Sequence, residues 1–68
     1  MAITELRKEL GLTRIDFARL TGIPLSTLKD WDNGWHQPKD WAVPMIELYA
    51  RVQYERYKKG EISLKGVE

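Results

Sequence analysis

Apolar positions recur at helical spacing along most of the chain. In ITELRKELG, Ile3, Leu6 and Leu10 stand three and four apart, with Thr4 as the expected N-cap and Gly11 as the stop. TRIDFARLTG opens on Thr13, has an acid three residues on at Asp16, and closes at Gly22, which predicts a helix over 13–21 with an Asp version of the capping box. Only Gly22, Ile23 and Pro24 separate it from the next periodic stretch. Pro is tolerated at a helix start because the N–H it lacks would be unpaired there, so a third helix is expected over 24–32. Ile23, Leu28 and Trp31 are its core positions, and Leu25, Ser26, Lys29 and Asp30 face the other way.

The segment DNGWHQPKD breaks the pattern with turn and loop residues. From Asp40 a longer helix follows, with Trp41, Met45, Leu48 and Val52 at i, i+4, i+7 and i+11 on one face. Pro44 disfavours helical geometry at Val43. It therefore sits in the first turn, or a short turn over 40–43 precedes the helix proper. Beyond Gly60 the tail EISLKGVE alternates, which fits a short strand at 61–65 that could pair with a second copy. Residues 1–58 thus read as the helical domain and 59–68 as a tail or dimerisation strand.

A chain of 68 residues is one domain near the lower limit for a single hydrophobic core, and too short for a large enzyme. With no Cys and one His, disulfides and zinc clusters are excluded. No nucleophile–base pair, metal cluster or phosphate-cradling glycine loop is present, so neither an enzyme nor a cofactor is expected. No long apolar run or signal-peptide pattern occurs, and a cytoplasmic protein with no membrane partner is the expectation. The net charge is +1, low for a protein whose partner is a polyanion. Residues 1–34 cancel with five basic and five acidic side chains, whereas 51–59 carries four basic against one acidic.

Two short helices joined by a glycine-containing turn, the second exposing a polar face, form a helix-turn-helix pattern. LGLTRIDFARLTGIPLSTLKDWDNG resembles the Cro/C1-type domains of phage repressors and XRE-like regulators. The joint spacing of Leu12-Thr13, Phe17-Ala18, Gly22-Ile23, Ser26-Thr27-Leu28, Trp31 to Gly34, and Pro38 carries the likeness, which covers roughly residues 3–54. It implies an all-α, compact four-helix fold of lambda-repressor type, or five helices with a short extra turn. It implies a bacterial or phage origin and a regulator of transcription that binds double-stranded DNA as a homodimer. Carried over onto this chain, base contacts fall to Leu25, Ser26, Lys29 and Asp30, and phosphate contacts to Arg14, Asn33, Gly34, Trp35 and His36.

The chain departs from the family pattern at several of these positions. Pro24 and Leu25 replace polar or basic residues, and Trp35 and His36 stand where a basic residue is usual. Leu25 offers only apolar contact, for instance to a thymine methyl, and Ser26 discriminates weakly among bases. Asp32, near the C-terminus of its helix, is placed unfavourably unless it caps or pairs nearby. These features leave an alternative open, in which the same fold binds a protein partner, as an antitoxin, an anti-repressor or an adaptor does.

Overall fold

The computed structural model describes residues 2–64, as four helices joined by short connections: α1 (Ala2–Glu9), α2 (Arg14–Thr21), α3 (Leu25–Asn33) and α4 (Ala42–Lys58). The fold is all-α, and among the described residues there is no strand. Ile3 and Leu6 of α1, Leu12 of the following connection, Phe17 and Leu20 of α2, and Leu28 of α3 converge on Ala50 of α4. Phe17 and Ala50 are fully buried. Around this centre Leu10, Ala18, Ile23, Trp31, Val43, Ile46 and Tyr54 pack partly buried. Trp31, expected in the core, therefore covers its edge.

α2 begins as the capping pattern requires. The Thr13 hydroxyl accepts from the Asp16 amide at 3.1 Å, satisfying one of the donors a helix start leaves open. Gly22 ends the helix in the left-handed region (φ +80), and its amide donates to the Ala18 carbonyl at 2.7 Å. A Cβ there would meet nothing within 4 Å, so backbone conformation and not space asks for glycine. Pro24 stands just outside α3, its carbonyl accepting from the amides of Thr27 and Leu28.

Three expectations are corrected. Thr4 is no N-cap: α1 already runs from Ala2, and the Thr4 hydroxyl donates instead to Asp32 Oδ1 at 2.5 Å. The stripe Trp41, Met45, Leu48, Val52 does share one face of α4, but that face looks into solvent. The face turned inward carries Val43, Ile46, Ala50 and Tyr54, half a helical circumference away. Lastly, residues 61–64 are bends and a turn, not an extended strand. Leu64 is 7% exposed within the core cluster and Ile62 packs beside it, so this end of the tail closes the chain's own core. Lys65 and the rest of the tail lie outside the described residues.

At the start of α4 both readings of Pro44 are partly realised. A turn at 40–41 precedes the helix, with the amides of Ala42 and Val43 donating to the Lys39 carbonyl, and Pro44 then occupies the first turn.

Candidate nucleic-acid interface

α2 and α3 meet across a shallow groove of about 270 Å³ lined by Thr13, Arg14, Ile15, Leu25 and Lys29. Three residues expected from the sequence, Arg14, Leu25 and Lys29, are thereby brought to one place. Ser26 is exposed one position from Leu25 and, three residues from Lys29, shares its side of α3. Asp30 is half-buried. Its carbonyl accepts from the amides of Trp35 at 3.0 Å and His36 at 3.5 Å.

The end of α3 is a Schellman motif. Gly34 sits at φ +77, its amide reaching the Trp31 carbonyl at 3.2 Å while the Trp35 amide reaches that of Asp30. In this motif an apolar residue at the Trp35 position usually covers another at the Asp30 position, but an aspartate offers no such surface. The Trp35 backbone is thus fixed while the residue is 75% exposed. Asn33, Gly34 and His36 are exposed beside it.

Asp32 ties this region together. Arg14 Nε donates to its Oδ2 at 2.6 Å, Arg7 Nη2 lies 3.7 Å from the same oxygen, and Thr4 holds the other oxygen. Burial by itself would raise the carboxyl pKa, but the hydrogen bonds from Thr4 and Arg14 and the charges of Arg7 and Arg14 outweigh it and hold the pKa below its ordinary 3.8. Two arginines against one aspartate leave the cluster with one surplus positive charge, so Asp32 does not oppose an anion as a count along α3 implies. Arg14 remains 41% exposed, at the groove.

The sequence alone does not place Thr13 and Ile15 at the groove or Arg7 against Asp32. Arg7 follows Ile3 by four residues, an inward position on α1, and a basic residue at apolar spacing is the signal that it is paired inside. Its Nη1 also donates to the Leu12 carbonyl at 2.9 Å, which fixes the connection into α2. Ile15 is off the stripe that buries Phe17 and Leu20, and it is 50% exposed.

The helix-turn-helix family model matches residues 3–39, just over half of the chain, covering α1 from Ile3 onward and all of α2 and α3. The chain belongs to the Cro/C1-type helix-turn-helix family. This helix-turn-helix protein is accordingly a DNA-binding regulator in general terms, and its family is one of regulators and not of enzymes. No curated protein and no solved structure matches it. No helix among the described residues is long and apolar enough to cross a membrane.

Proposed function

We propose that this protein is a sequence-specific, cytoplasmic transcriptional regulator of phage-repressor or Cro type that sets α3 in the major groove and acts as a homodimer. The observation that carries the reading is the groove between α2 and α3, where Arg14, Leu25 and Lys29 meet at an open edge beside Ser26. Leu25, Ser26 and Lys29 face base edges, with Asp30 at the margin. Arg14 and the exposed loop Asn33, Gly34, Trp35 and His36 take the phosphates, the Trp35 indole N–H donating while its ring lies on sugar.

Few cations line this surface, so one subunit neutralises few phosphates and binds weakly. Two linked half-sites restore affinity through effective concentration. The outer face of α4 supports self-association. Trp41, Met45, Leu48, Tyr49 and Val52 are each about half to two-thirds exposed. Together they present on the order of 500 Å² of mostly apolar surface, at the upper end of what monomers leave open. Two such faces reach roughly the 1,000 Å² that a specific interface needs.

Leu48 lies near the middle of the exposed stripe, so pairing about a twofold axis there lays the two apolar faces on each other. The same apolar face favours the second reading, a protein partner of another kind.

The test is selection of bound duplexes from random DNA, followed by salt titration of the enriched sequence. A palindrome with half-sites one helical turn apart, and affinity falling steeply with salt, is expected. Absence of enrichment, or binding indifferent to salt, removes the DNA reading and leaves the protein-partner one.

A further inference from the structure

Ile15 is an anomaly on α2, a half-exposed β-branched side chain in the first turn of a helix that buries Phe17 and Leu20. It lines the same groove as Leu25, and the two supply its apolar lining, beside Thr13 and the cations Arg14 and Lys29. Neither Ile15 nor Leu25 can donate or accept a hydrogen bond. A base edge pressed against them loses its water without compensation if it is polar. Within the major groove the apolar group on offer is the 5-methyl of thymine.

We propose that Ile15 and Leu25 together form a receptor for a thymine methyl, beside the phosphate contact of Arg14 and the base-edge contact of Lys29. The inference rests on the reading of α3 in the major groove and adds to it a specificity-determining residue on α2. Cytosine at that position offers the two alkyl side chains no methyl to bury and sets its N4 donor against them, so thymine is favoured over cytosine there. The chain reads this base pair by shape and desolvation.

The experiment uses the full chain and the duplex enriched by selection, with thymines replaced one at a time by deoxyuridine, which removes the methyl alone. At one thymine in each half-site the affinity should fall about fourfold, the worth of one buried methyl-sized group. Ile15→Ala is expected to stay folded because the side chain is outside the core, which its melting curve verifies. Combined with Leu25→Ala, it should bind thymine and uracil duplexes alike. Changes below twofold at every thymine, or a preference for thymine that survives in the double variant, overturn the receptor while leaving DNA binding intact. If selection enriches no duplex at all, the major-groove reading fails, and the receptor with it.

Discussion

Arg14 Nε and Asp32 Oδ2 lie 2.6 Å apart, so the first residue of α2 is tied to the last turn of α3. The contact spans 18 positions and fixes how the two helices of the motif cross. Arg7 on α1 approaches the same oxygen, and one carboxylate therefore locks three helices around the edge of the groove. Asp32 is 11% exposed, where removing a partnered charge costs more than at the open surface.

Asp32→Asn keeps the shape and removes the charge, and should destabilise the fold by about 1–3 kcal/mol at neutral pH. The sign of the pH effect follows from the lowered pKa. Below about 4 the unfolded chain takes up the proton first, so the stabilisation is full above that value and is lost as pH falls through the lower folded pKa. Urea unfolding between pH 2.5 and 6 should show a steeper acid loss for the parent than for the variant. Parallel curves would remove Asp32 from the account.

Arg14→Ala also removes the Asp32 contact, so its melting curve is taken first; in the folded variant, binding to all duplexes should weaken alike and the salt slope fall by about one unit. Ser26→Ala should instead change preference at one base pair by about 1 kcal/mol or more. Competition binding with the enriched duplex and its single-base variants separates the two patterns. A uniform loss for Ser26→Ala would show that it positions α3 without reading a base.

Phe17 is fully buried and Trp31 only partly. Phe17→Ala should therefore cost about 3–5 kcal/mol, a large share of the stability of so small a domain, and Trp31→Ala less. Thermal unfolding of both variants ranks them. The reverse order would mean that α3 packs more deeply than described.

The tail and the outer face of α4 are expected to separate stability from assembly. Leu64→Ala should lower stability by about 2 kcal/mol or more, because Leu64 fills the core, and leave the association state unchanged. Leu48→Glu, on the exposed side of α4, should leave the melting temperature of the subunit near that of the parent and shift sedimentation to monomer. A monomeric parent chain would refute the α4 interface outright.

Helix positions, the Gly22 turn and the start of α2 were legible in the chain because each is set by local chemistry: apolar spacing, a capping hydroxyl, a residue free to take positive φ. The family resemblance rested on the same local features, which is why it survived contact with the structure. Which face of α4 turns inward was not legible. Trp41-Met45-Leu48-Val52 and Val43-Ile46-Ala50-Tyr54 both repeat at helical spacing, and periodicity identifies a stripe without naming what it packs against.

The same limit explains the tail and the groove. Alternation at Ile62 and Leu64 satisfies a strand pattern and equally a segment folding back with Leu64 inward, and only the gap left by the four helices chose the second. Arg7, Arg14 and Thr4 are scattered in sequence, and no local rule unites them. Asp32 needed partners by its own position on α3, so the sequence posed the demand. The crossing of α1, α2 and α3 decided which residues met it, because charges pair by distance in space and not by spacing along the chain.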